Sequence, residues 1–412
     1  MDTINKKNHI FYISVFLIFS YFVGFILGED STGGAYNDFI IHTNTANEIK
    51  SNILYFLFNY DDYGNAHSPI IILIFHLLNI SDYPIIIRII SLLSSILIPI
   101  LFFMCLELKF GSKNKLVLVY LSCFVFISPY FRSLAYWPGS ENLSIIFFLS
   151  SIYYYLKCIK NINKNVQLKY IFLNIFFIAC ASYIRPIYCI FSIFFFYKII
   201  LNNYNHNKLI YYLIFNLILS APAIYYIFYL NVHFFNILIN SNTNFITKIG
   251  LSYLVIFFYL TPFILIYRNF IFKKSFTIFF LSLILFLLFL FFFNYKTSTG
   301  GGLYYHLFIN YFKTKELFFI ISLISIFSVN LFLNLEIKSN LVLLATFFLL
   351  EADSQFYQET FDPILFIAIF TMFELKLINK LVNFKSLNKI NFMLAYMTVF
   401  YFISLYKNTF LV

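Results

Sequence analysis

Apolar runs long enough to cross a bilayer follow one another along the whole chain, and charge is confined to short stretches between them. A bilayer core takes roughly 20 apolar residues per helix. Thirteen candidate spans are read at 11–27, 84–106, 116–131, 142–156, 170–184, 186–200, 209–230, 251–267, 276–293, 317–335, 341–350, 363–375 and 390–406. The adjacent pairs 170–184 with 186–200 and 341–350 with 363–375 are short enough to be re-entrant hairpins. The expected fold is therefore an all-α polytopic membrane bundle of about 11–13 transmembrane helices. It is read as one membrane domain, 1–412, with a first span (11–27), an outer segment (28–83) and the remaining spans (84–412), and no separate soluble domain. Apolar residues make up 61% of the chain and charged residues 11%, against about 25% charged in a soluble domain. Soluble enzymes, disordered chains and fibrous proteins are excluded.

The net charge of +11 comes from small clusters between apolar runs, such as Lys109, Lys113 and Lys115, which is the look of cytoplasmic loops rather than of a nucleic-acid surface. With the N-terminus inside, most Lys and Arg fall on the cytoplasmic side and most acids on the other. The first run follows Lys6 and Lys7, and no small-residue cleavage site follows it, so it reads as an uncleaved anchor. The expected location is a bacterial inner membrane with the active face periplasmic. The five cysteines show no CxxC spacing and read as small hydrophobes.

This orientation gathers the unusual polar residues in the outer segments. The first reads GEDSTGGAYNDFIIHTNTANE, with Glu29, Asp30 and Asp38. A carboxylate just beyond a first span suits a general base acting on a hydroxyl; the competing reading is a solvated acidic loop. Residues 44–58 fit a helix lying on the membrane. Beyond it, NYDDYGNAHSPI carries His67 before a Ser-Pro step, and 70–80 is too short to span. The second outer segment, SPYFRSLAYWPGSENLS, holds Arg132, Trp137 and Glu141. Arginine suits bidentate contacts to a lipid phosphate, whereas Trp137 fits an interfacial aromatic belt and Glu141 a helix N-terminus. In ASYIRPIY, Pro186 disfavours helix at Arg185, which leaves an arginine at a tight outer turn, either functional or snorkelling to headgroups. KTSTGGGLYYH offers Lys296, the glycines Gly300–Gly302 as a mobile lid or a phosphate-approaching loop, and His306. EADSQFYQETFDP offers Gln358 among acids suited to sugar hydroxyls or to solvation.

The order of these motifs resembles the GT-C superfamily of membrane glycosyltransferases, particularly bacterial relatives of the protein O-mannosyl and aminoarabinose transferases. The resemblance rests on EDSTGGAYND after the first span, HSPI closing a membrane-lying segment, YPIIIRIISLLSS with an arginine near a span start, SPYFRSLAYWPGSENLSIIFFLSSIYYYLK, ASYIRPIY and YQETFDPILF. It covers 1–200 best. It implies a GT-C-like bundle and a sugar donor carried on polyprenyl phosphate. It implies inverting transfer to a glycan, lipid or protein acceptor at the outer face. A first-loop carboxylate would be the base, carried by position to Asp38, with Asp30 or Glu29 as alternatives. His67, Arg132, Glu141, Arg185, Lys296, His306 and Gln358 would serve the donor and its phosphate. Some members use a divalent metal. This chain departs from the Asp-Glu order common in the family: it has Glu29-Asp30 and then Asp38. Two other readings remain open, a lipid-linked oligosaccharide polymerase or ligase and a polysaccharide or lipid transporter. The absence of internal repeats and of mid-span charge argues against transport. Membrane lipid is an expected partner and nucleic acid is not.

Overall fold

The computed structural model describes residues 3–410 apart from 50–51, 64–66, 79, 162–163, 202–205, 230–242, 268–275, 297–299, 334–336 and 351–355. Every regular element among them is helical. In a bilayer this is what backbone polarity demands, because a helix satisfies its own N–H and C=O groups. Among the described residues, eight helices are long and apolar enough to cross a membrane, or nine if one bent pair counts as a single span. Three further apolar helices, Pro186–Ile199, Ile278–Phe292 and Lys338–Phe348, are shorter.

The chain divides into two compact units, Met1–Phe235 with Leu381–Val412, and Asn236–Lys380. In the first, α1 (Thr3–Ile26) leads into a segment, expected to be outer, that is mostly helical: α2 (Ala35–Glu48), α3 (Ile53–Phe58) and α4 (Pro69–Leu77). Phe39, Ala46, Ile49, Phe56, Tyr60, Ile71, Ile72 and Phe75 bury a shared core there, closed by Ile87. α5 (Pro84–Ser95) and α6 (Leu97–Phe110) form one long apolar run.

The expected span 116–131 is bent. α7 (Lys115–Ser122) and a 3-10 turn to Ile127 are followed by α8 (Pro129–Tyr136), and the two parts meet at 68°. The cause is Pro129, which cannot donate a helical hydrogen bond and pushes Ser128 into extended backbone. The Ser128 hydroxyl then accepts from Phe131 N at 3.0 Å and restarts the helix. α9 (Glu141–Lys160) and α10 (Lys164–Ile184) follow as full spans, α9 packing on both α6 and α10. Asn174 Nδ2 ties α10 to α9 through Ser151 O and Oγ at 2.9 and 2.8 Å; such interhelical amide bonds glue spans in lipid. Of the paired runs 170–184 and 186–200, the first is thus a full-length span and only the second is short. The helix Leu387–Phe410 closes this unit.

In the second unit, helices Phe245–Ile266 and Lys315–Leu333 are span-length. Tyr253 donates to Asn330 Oδ1 at 2.8 Å, and Asn330 Nδ2 donates to Ser282 Oγ at 2.9 Å, so three helices share one buried polar thread. The expected runs 341–350 and 363–375 appear as Lys338–Phe348 and Ile364–Thr371. At about 1.5 Å per residue neither helix alone reaches across a bilayer.

Candidate functional site

The site begins with the turn that starts α2. Asp30 Oδ1 accepts from Thr32 Oγ1 at 2.9 Å and Gly33 N at 3.0 Å, and Oδ2 accepts from Tyr36 N at 3.2 Å. Ser133 Oγ also donates to Asp30, at 3.2 Å. Asp30 thereby ends the loop and begins the helix at Ala35, well before the helical stretch expected from 44. Asp38 lies in the first turn of α2 and His42 one turn later, on the same helical face.

Three other segments reach this face. His67 sits just ahead of α4. Its carbonyl accepts from Tyr60 OH, and the neighbouring Ser68 Oγ donates to Tyr183 O at 2.6 Å. That bond fastens the His67-Ser68-Pro69 step to the end of α10, where Arg185 follows in extended backbone ahead of Pro186, as the X-Pro rule requires. Glu141 opens α9. Its carboxylate lies back over Gly139, where a Cβ would come within 2.5 Å of Oε2. Arg185 Nη1 stands 3.5 Å from Glu141 Oε1, the two side chains 19% and 12% exposed. The His42 and His67 rings meet edge to face with centroids 4.8 Å apart.

Asp38, His42, His67, Glu141 and Arg185 form one electrostatic group. Burial raises the Asp38 carboxyl above its ordinary value; His67 and Arg185 oppose this, while Glu141 and Asp30 reinforce it. His42 is fully buried, and burial, with the charge of His67, lowers it to about 3. It is a neutral ring throughout the physiological range. A carboxylate made more basic than usual, a neutral imidazole, a second imidazole and an arginine can together accept a proton from a hydroxyl and hold a phosphate. Among the described residues no three His, Cys, Asp or Glu side chains are placed to hold a metal ion.

Glu29 and Arg132 form a separate structure. Arg132 Nε donates to Glu29 Oε1 and Oε2 at 2.9 and 3.1 Å, and Nη2 donates to Oε2 at 2.6 Å. The remaining donors reach Ser20 Oγ, Ser20 O and Phe126 O. Tyr401 OH donates to Glu29 Oε2 at 2.9 Å. The two charged side chains are 3% and 5% exposed. Gly24 makes room for the pair, since a Cβ there would meet Glu29 Oε2 at 2.3 Å and Arg132 Nη2 at 2.4 Å.

Lys296, His306 and Gln358 belong to the second unit. Lys296 is exposed, and His306 Nδ1 is 2.8 Å from Asn310 Nδ2. Gln358 Oε1 accepts from Leu303 N at 2.8 Å, and Gly301 N donates to Phe356 O at 2.6 Å. The glycine stretch expected to be a mobile lid is thus hydrogen-bonded to the segment before Gln358. Glu351 and Asp353 lie outside the described residues, and the stretch 231–250, expected to be outer, is described only from Thr243. His42 was not singled out in the sequence. Its signal is the i, i+4 spacing to Asp38, which has meaning only once a helix is known to begin at Ala35. Comparison with known proteins finds no match among family models, curated proteins or solved structures.

Proposed function

We propose that the chain is an integral-membrane glycosyltransferase of GT-C type that moves a sugar from a polyprenyl-phosphate donor to a lipid, glycan or protein acceptor at the outer membrane face. The observation that carries this reading is the convergence of Asp38, His42, His67, Glu141 and Arg185 from four separate segments. Asp38 is the general base: a carboxyl with a raised pKa is a better proton acceptor for a hydroxyl than an ordinary one. Of the three first-loop acids it is the one left for chemistry, because Glu29 is bonded to Arg132 and Asp30 to the start of α2.

In the step, the acceptor oxygen bonds to the anomeric carbon as its proton passes to Asp38. The bond from that carbon to the phosphate oxygen breaks on the opposite face, giving inversion. Polyprenyl phosphate leaves with one more negative charge, which Arg185 offsets and Glu141 orients. His67 interacts electrostatically with the base and with Glu141 and is placed to contact the donor.

The test is transfer of labelled sugar from a polyprenyl-phosphate donor by the chain reconstituted in vesicles. Asp38→Asn is expected to lower transfer about 10²–10⁴-fold while expression and folding stay normal. Unchanged transfer removes Asp38 from the reaction. Product size separates the neighbouring chemistry, since a polymerase or ligase would deliver long chains rather than single sugars.

A further inference from the structure

Arg88 is the fifth residue of α5, about 6 Å along the helix from its start. Its guanidinium lies over an aromatic platform, with Cζ 3.8 Å from the Trp137 ring centroid and 5.0 Å from that of Phe25. Nε donates to Tyr136 O at 2.8 Å. The platform is itself fixed. Trp137 Nε1 donates to Glu29 O at 3.1 Å, and Tyr36 meets the indole edge-on at 4.7 Å. Arg88 is half-buried, and neither terminal nitrogen has a hydrogen bond or ion pair to any described residue. Four N–H donors in one plane are thus held in place and not used by any described residue.

The surroundings identify the kind of anion. Ile85, Ile86, Ile89, Ile90 and Leu93 form an exposed apolar stripe along α5. At 100° per residue Arg88 borders that stripe. A lipid chain lying on the stripe brings its headgroup to the start of the span, the depth at which Trp side chains also settle. A charge beside lipid is costly unless it finds a counter-ion, and a planar guanidinium fits two phosphate oxygens at once.

We propose that Arg88, laid on Trp137, binds the phosphate of a membrane lipid whose chains run along the Ile85–Leu93 face. This site does not depend on the transferase reading and is tested without a transfer assay.

The full chain, purified in neutral detergent, is titrated with phosphatidylglycerol, with diacylglycerol of the same chains, and with inorganic phosphate. Lipid retention is read by native mass spectrometry. Phosphatidylglycerol is expected to be retained at least about tenfold better than diacylglycerol, and millimolar inorganic phosphate should not displace it. Arg88→Gln should lose that preference, and Arg88→Lys, which keeps the charge but loses the flat fork, should keep part of it. Equal retention of the two lipids by the unmodified chain overturns the proposal, whatever the variants do. So does an Arg88→Gln chain that folds and still prefers phosphatidylglycerol. Displacement by inorganic phosphate at matching concentration overturns the lipid as the source and makes the site one for a soluble phosphate.

Discussion

Among its described residues the first unit holds two arginine–glutamate pairs built from the same residue types, and they differ in everything but composition. Arg132 and Glu29 are sealed, and each polar nitrogen of the arginine has a protein acceptor. Arg185 and Glu141 touch at 3.5 Å, several times more exposed, within reach of two histidines and of Asp38. A buried pair with every donor used holds helices together; here it joins α1, α8 and the C-terminal helix through Tyr401. The looser pair lies beside titratable neighbours, where the charge of Arg185 acts on Asp38 and on Glu141. The contrast is one of enclosure and company: Arg132 is sealed against Glu29 and backbone carbonyls, whereas Arg185 shares its surroundings with Asp38, Glu141 and the histidines.

The sharpest way to break this contrast is to neutralise each arginine in turn. Arg185→Gln is expected to lower sugar transfer about 10²–10³-fold with little change in thermal unfolding. If it unfolds the chain instead, the pair is structural and the distinction fails. Arg132→Gln is expected to act the other way. It leaves Glu29 buried without its partner, which costs about 3–5 kcal/mol, read as a lower unfolding midpoint in detergent. The molecules that remain folded should transfer at the normal rate, because Arg132 has no donor to lend. A proportional loss of rate in that folded fraction would place Arg132 in the reaction.

Much of this was legible in advance, for reasons that can be named. Spans such as Pro84–Phe110 and Phe245–Ile266 declare themselves by hydropathy, because lipid imposes one solution on the backbone. Pro186 announced the extended backbone at Arg185 through a purely local clash. The start of α2 was hidden. Residues 35–48 are too polar to read as a helix by periodicity, and the helix depends on the Asp30 turn and on packing of Phe39 and Ala46. His42 was hidden with it. The fate of Arg132 was also out of reach, since its partner lies near the end of the first span and a third member, Tyr401, near the chain's end. Such pairings are tertiary facts. They decide which of several equally plausible cations is spent, and no local pattern carries them.

The smallest effect tests the other half of the contrast, that Asp38 is held by burial rather than by a closed partner. Burial raises its carboxyl, and His67 and Arg185 only partly oppose this. A carboxyl with a folded-state pKa above its unfolded one binds its proton more tightly in the folded chain. Its contribution to stability is therefore present at low pH and is lost as pH rises from the ordinary carboxylate value, roughly 4, through the raised value. At neutral pH the ionised Asp38 strains the fold. Asp38→Asn should then lose transfer and yet unfold at an equal or higher temperature at neutral pH, with the difference from the unmodified chain vanishing as the pH is lowered. His42, lowered to about 3, takes up a proton in the unfolded chain before it does so in the folded one, so it lowers stability toward acid pH in both chains alike and cancels in their difference. The same raised pKa should place the acid limb of the transfer rate above the ordinary carboxylate range, because only the ionised form accepts a proton. Unfolding midpoints of both chains between about pH 4 and pH 8 are the measurement. A loss of stability in Asp38→Asn at neutral pH would mean that this carboxylate is as firmly partnered as Glu29, and the base would have to be sought elsewhere.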